Sequence, residues 1–123
     1  MLKALNTRLR GKTYEIRAEH WLVAQGLRPL ARNFTARGGE LDLIMEDGPA
    51  LVFVEVRFRA SNRFVGALES VTPSKQRRVL HAAACWLQRN PAQGTRPCRF
   101  DVVGIEGVGE SCRIAWIKAA FTA

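Results

Sequence analysis

The sequence predicts a mixed α/β fold, a sheet of five strands under helical cover, in the order helix, three strands, helix, two strands. Three observations carry that expectation. Two β-rich runs flank Asp47-Gly48-Pro49-Ala50, and Asp-Gly between such runs is a strong hairpin cue. The second run is apolar on both faces, with Leu51 and Phe53 on one and Val52, Val54, Val56 and Phe58 on the other. A strand greasy on both sides belongs inside a sheet that helices cover. Segments of helical periodicity stand before and after the hairpin, where they can supply that cover.

The first element reads as a helix running to about Gln25. Ile16 and Val23, with Ala18 and Leu22 on an adjoining face, recur at helical spacing, and Gly26 supplies the stop. Residues 27–34 predict a short strand, placed at an edge because Pro29 has no N–H to donate. The hairpin arms, 40–46 and 51–58, come next, and the polar stretch 59–71 fits a loop. Thr72-Pro73 then opens a second helix, with threonine as N-cap and proline at the first helical position. Val79, Leu80, Ala83, Ala84, Trp86 and Leu87 give this helix a wide apolar face, and Asn90-Pro91 ends it. After a loop at 91–97, segments 99–105 and 112–118 predict two closing strands. Trp21, Trp86 and Trp116 read as core side chains. Nothing in the pattern divides the chain, so one domain over residues 1–123 is expected.

With 47% hydrophobic residues the chain can bury a core without disulfides or a structural metal. Its 19 Lys and Arg against 11 Asp and Glu give a net charge of +8. Such a field attracts polyanions, of which nucleic acid is the commonest in a cell; a basic protein that binds nothing specific is the alternative. No block of five or six like charges occurs, which excludes a disordered basic tail. Cys85, Cys98 and Cys112 are odd in number and widely spaced, and neither His20 nor His81 stands at a ligand spacing from them. That pattern argues against a zinc finger and against a secreted disulfide scaffold. The basic N-terminus has no apolar run after it and no stretch approaches a bilayer span. The expectation is a cytoplasmic protein with no membrane partner.

Asp42 and Glu55 bear most on function. Each lies within a strand of core-forming residues, where a lone ionised carboxylate is costly. Opposed residues of an antiparallel pair point to one face. A two-residue turn, Asp47-Gly48 or Gly48-Pro49, therefore puts the two carboxylates on the same face, diagonal or directly opposed. An odd-length loop without a bulge would separate them. Carboxylates so close share a proton or a cation, and Mg²⁺ takes one or two carboxylates, water and phosphate oxygens. The alternative is that both pair with neighbouring arginines; Arg57 lies on the face of Glu55, two residues on.

The run Gly39-Glu40-Leu41-Asp42-Leu43-Ile44, with Glu55-Val56-Arg57 after it, resembles the PD-(D/E)xK nuclease pattern. More closely, the chain is similar to the YraN-like bacterial family, which is described as related to archaeal Holliday-junction resolvases. The likeness covers roughly residues 11–121. It rests on Gly11 with Glu15, Ala31-Arg32-Asn33, the 39–44 run and Phe53-Val54-Glu55-Val56, and continues through Val71-Thr72 with Lys75, Arg99-Phe100-Asp101-Val102-Val103 and Ala120-Phe121.

The resemblance implies a restriction-endonuclease-like fold and a metal-dependent, structure-selective endonuclease that hydrolyses phosphodiester bonds. By motif position Asp42 and Glu55 would hold Mg²⁺ or Mn²⁺, helped by the backbone carbonyl of Val56. Glu15 matches the extra acidic residue of the resolvase-like pattern, its alternative being a solvated helix residue; Glu40 then stands behind the ligands or at the surface. The pattern has lysine where this chain has Arg57. Arginine keeps the charge but stays protonated, which leaves Arg57 electrostatic stabilisation of the pentavalent phosphorane. Lys75, near the start of the second helix, is the candidate for a movable ammonium, against the reading of one more exposed lysine.

Arg8, Arg10, Arg59, Arg63, Arg77 and Arg78 are candidates for contacts to backbone phosphates, which position a nucleic acid without reading its sequence. The partner implied is nucleic acid, DNA ahead of RNA, and the resolvase analogy suggests a homodimer. Because of Arg57, a nuclease-fold binding module without turnover stands beside the enzyme. A scaffold for an acidic protein partner is the third class.

Overall fold

The expected order of helix, three strands, helix and two strands is the order observed. The computed structural model describes residues 2–59, 69–107 and 112–122, with side chains from residue 13 onward. Its elements are α1 (Leu2–Ala24), β1 (Arg28–Ala36), β2 (Gly39–Asp47), β3 (Ala50–Arg59), α2 (Pro73–Arg89), a 3-10 turn at Pro91–Gln93, β4 (Cys98–Glu106) and β5 (Arg113–Phe121). The strands form one mixed sheet in the order β1-β2-β3-β4-β5, with β3 parallel to β4 and the other neighbours antiparallel. Parallel neighbours need a crossover connection, and α2 lies within it. No helix among the described residues is long and apolar enough to cross a membrane.

Strand β3 lies at the centre of the sheet and is covered on both faces, as its two-sided hydrophobicity predicts. Val52 and Val54 bury beside Ala18 and Leu22 of α1, together with Leu43, Met45, Val103 and Ile105. Leu51 and Phe53 bury beside Val79, Ala83 and Trp86 of α2. Full burial of a side chain such as Phe53 contributes about 1.5–3 kcal/mol.

One helical face differs from expectation. Ile16 and Val23 stay 42% and 45% exposed, while Ala18 and Leu22 are fully buried. The core-facing stripe is buried Ala18 and Leu22 with half-buried Tyr14 and Trp21, which carries the larger aromatic area. Tyr14 stacks on Phe58 with ring centres 3.8 Å apart, and Trp21 meets Trp116 edge-on at 5.9 Å. All three tryptophans join the core, as expected: Trp86 is buried on the α2 side of the sheet, and half-buried Trp21 and Trp116 pack against the core on the α1 side.

Three local features prepare the site. The β2–β3 ladder runs from Asp47↔Ala50 to Leu43↔Val54, so Gly48-Pro49 is the two-residue turn. Beyond Val54, β3 remains paired with β4 as far as Arg59↔Glu106, which holds one edge of the strand in place. At the start of β2, a Cβ on Gly39 would run into the carbonyl oxygen of Arg78. Glycine there lets α2 approach the sheet, next to Glu40.

Candidate functional site

The β2–β3 ladder ends at Leu43↔Val54, and Asp42 and Glu55 are the next residue along each strand. They come close enough for the charge of Asp42 to act on the Glu55 carboxyl. There the Asp42 carboxylate replaces a backbone partner: its Oδ2 accepts the N–H of Val56 at 2.9 Å. The two carboxyl groups therefore meet at the end of the hairpin away from its turn.

The N-terminal turn of α2 brings a cation to the pair. Thr72 caps the helix by accepting the N–H of Lys75 at 3.2 Å, which fixes the lysine backbone. The Lys75 ammonium lies 3.1 Å from Glu40 Oε1 and 3.7 Å from Glu55 Oε1, with its side chain only 25% exposed. Of the two sequence readings for Lys75, that of a plain surface lysine does not describe this position. Arg78, one turn further along the helix, donates to the other Glu40 oxygen at 3.0 Å. Arg57, at the lysine position of the nuclease pattern, donates from Nε to the Ser70 hydroxyl at 3.0 Å.

Burial, and then the charge of Asp42, push the Glu55 carboxyl up to about 9, against the smaller opposing pull of Lys75 and Arg57. Glu40 moves the other way, held below the usual carboxylate range by its hydrogen bonds to Arg78 and Lys75. Burial works against the Lys75 ammonium, but Glu55 and Glu40 outweigh it and raise its pKa.

Three charged residues are buried among the described ones: Glu19, Glu55 and Asp101. Arg32 grips both oxygens of Glu19, at 2.7 and 2.8 Å. Asp101 accepts from Arg99, from the Trp116 indole and from the Ala119 N–H. Both are structural: Glu19 fastens α1 to β1, and Asp101 fills the irregularity between β4 and β5. Glu55 differs from them. It is 3% exposed, and its Oε2 meets no donor among the described residues; its hydrogen-bonding neighbour is the Asp42 carboxylate. An ionised carboxylate left in that state is costly, which accounts for the upward shift and marks the atom as open to a proton or a cation.

The donor set suits a hard divalent ion, with two carboxylates on one face and no sulfur or imidazole required. No cluster of three or more His, Cys, Asp or Glu able to hold a metal occurs among the described residues. Glu15 is half-buried on α1 and completes no such cluster. An ion here would rely on Asp42, Glu55, water and substrate oxygens.

Of the arginines proposed for phosphate contact, Arg77 and Arg78 are exposed on α2, close along the chain to Lys75. Arg59 is half-buried and donates to the Phe58 carbonyl at 2.8 Å. Arg63 and the side chains of Arg8 and Arg10 lie outside the described residues. The sequence reading gave Glu40 no contact of its own. Its signal was the i, i+3 spacing of Lys75 and Arg78, which sets two cations on one helical face facing a single acceptor.

Comparison with known proteins agrees with the resemblance to the YraN-like family. Residues 14–105 match the family described as "Uncharacterised protein family UPF0102". A UPF0102 protein of Nitrosococcus oceani is 47% identical over 120 residues, covering 98% of this chain and 97% of that one. A UPF0102 protein of Saccharophagus degradans is 53% identical over 112 residues, with 91% and 92% covered. UPF0102 protein YraN of Escherichia coli is 48% identical over 120 residues, with 97% and 88% covered. The mixed sheet and its element order are consistent with the resolvase-related, restriction-endonuclease-like fold expected for this family. The chain belongs to the UPF0102 family.

Proposed function

We propose that this chain is a Mg²⁺- or Mn²⁺-dependent endonuclease that hydrolyses phosphodiester bonds in structured nucleic acid, DNA ahead of RNA. The observation that carries the reading is the buried Oε2 of Glu55, which meets no donor beside the charge of Asp42, whereas buried Glu19 and Asp101 have both oxygens bonded. Asp42 and Glu55 would hold the ion. Val56 already gives its N–H to Asp42. In an extended strand the C=O of a residue points to the same neighbour as its N–H, so the Val56 carbonyl would be a further ligand. A divalent ion in such a site supplies Lewis acidity and a water more acidic than in bulk.

The protein's own groups do the rest. Lys75 sets a positive charge beside the carboxylates, where a phosphate that gains negative charge in the transition state would be stabilised. Arg57 adds a second positive charge within reach of Glu55. Arg77 and the net charge of +8 would hold the phosphodiester backbone. Glu15 is kept as a candidate for an extra acidic ligand, and a homodimer as the candidate assembly.

Branched and linear DNA incubated with Mg²⁺ or Mn²⁺ tests the reading. Wild type should nick the branched substrates, and Asp42→Asn and Glu55→Gln should each abolish the activity. Cleavage that survives both substitutions removes the proposal.

A second reading has its own support. Arg57 stands in place of the pattern's lysine and is engaged with Ser70. It favours a nuclease-fold module that binds nucleic acid without cutting it. Salt-sensitive binding with no cleavage under any metal would select that reading.

A further inference from the structure

We infer that Glu40 and Lys75 form an ammonium-holding device: Glu40 binds the Lys75 ammonium and keeps it beside Glu55 rather than on it, which leaves the carboxylate pair open to a divalent cation. This rests on the proposed metal site and deepens it. Glu40 would then be a positioning residue, acting on the cation only through Lys75.

Four features point this way. The ammonium already lies between the two acceptors, closer to Glu40 at 3.1 Å than to Glu55 at 3.7 Å. Glu40 is kept ready as an acceptor, because Arg78 holds its second oxygen at 3.0 Å and so fixes its carboxylate. The lysine has a fixed base: its N–H is pinned to Thr72, and its four-carbon stem spans from there to Glu40. Finally, the site needs such a device. Glu55 Oε2 is buried and meets no donor, and an ammonium and a divalent ion cannot both crowd the same carboxylate without strong repulsion.

Holding the ammonium on Glu40 limits that repulsion and keeps a positive charge beside the site. If Glu40 loses its charge, Lys75 has only Glu55 left and competes with the incoming cation. Glu40→Gln should therefore weaken cation binding even though Glu40 is not a ligand.

The test is calorimetric titration of the full chain with Mn²⁺ alone, at one fixed pH and ionic strength. We expect Glu40→Gln to raise the Kd about tenfold and Lys75→Met to lower it. In the Lys75→Met background the Glu40→Gln effect should shrink to about twofold or less, because the two residues act as a unit. Glu40→Asp keeps the charge but shortens the reach, and should act in the same direction by a smaller factor. It also serves as the readout if Glu40→Gln fails to fold.

An equal Glu40→Gln effect in both backgrounds would mean that Glu40 acts by its own charge, and would overturn the inference. So would Mn²⁺ binding that Asp42→Asn abolishes but neither Glu40 variant changes, and in that case the metal site itself would stand. Absence of Mn²⁺ binding in wild type, or binding unaffected by Asp42→Asn, would remove the metal site and this device with it.

Discussion

Lys75 of α2 reaches across to Glu55 of β3, with 3.7 Å between Nζ and Oε1, while the second oxygen of the same carboxyl group meets no donor. One oxygen of the group thus faces an ammonium, and the other is open to a proton or a cation. That asymmetry links the fold to the chemistry, because Gly39, the Thr72 cap and the β2–β3 register must all be in place to produce it.

The first consequence concerns pH. Glu55 is raised to about 9 in the folded chain, from an ordinary value of 4.5. Between those values the folded chain holds a proton that the unfolded chain has released. The stability this group contributes is full below the ordinary value and is lost as pH rises through about 9. In metal-free buffer the melting temperature of wild type should therefore fall relative to Glu55→Gln between pH 6 and pH 9. Parallel curves for the two proteins would show that Glu55 is ionised throughout.

A second consequence separates the two cations that the sequence offered beside the carboxylates. Lys75 faces the carboxylates, whereas Arg57 spends its Nε on Ser70. Lys75→Met should lower cleavage by about 10²–10³, the usual loss when a charge-stabilising group is removed. Arg57→Lys should change it by less than about tenfold. Initial rates on one branched substrate, at saturating Mg²⁺, make the comparison. A large gain on Arg57→Lys would instead place the missing ammonium on β3.

The fold was legible where the pattern was strong. The apolar run at 51–58 fixed a central strand, and Thr72-Pro73 fixed the start of α2, because each depends on local chemistry that tertiary packing reinforces. Which face of α1 is buried was less legible: Ile16–Val23 and Ala18–Leu22 share helical spacing, and only the aromatic partners Phe58 and Trp116 decide between them. At the site, the facing of Asp42 and Glu55 followed from a two-residue turn. The Glu40–Lys75–Arg78 cluster did not, because it joins residues 35 and 38 positions apart that meet only through the close approach at Gly39. Asp101 shows the converse. It belongs to the same family pattern, yet its bonds to Arg99, Trp116 and Ala119 make it a structural acid, which no spacing in the sequence reveals.

A third consequence tests the approach at Gly39. An added methyl group there meets the backbone of Arg78, which cannot turn aside as a side chain would. Gly39→Ala should cost about 1–3 kcal/mol in urea denaturation, the usual penalty for overpacking. It should also lower cleavage, as Lys75→Met does, because α2 carries Lys75 away from the carboxylates. Unchanged stability would mean that the helix and strand part without cost.

The central claim is that Asp42 and Glu55 jointly hold a divalent cation. Crystals grown with Mn²⁺ and measured near the manganese absorption edge test it directly. An anomalous peak is expected about 2.1–2.2 Å from one oxygen of each carboxylate, lost in crystals of Glu55→Gln. A fully occupied peak elsewhere, or none beside Glu55 Oε2 at saturating Mn²⁺ and alkaline pH, would contradict it.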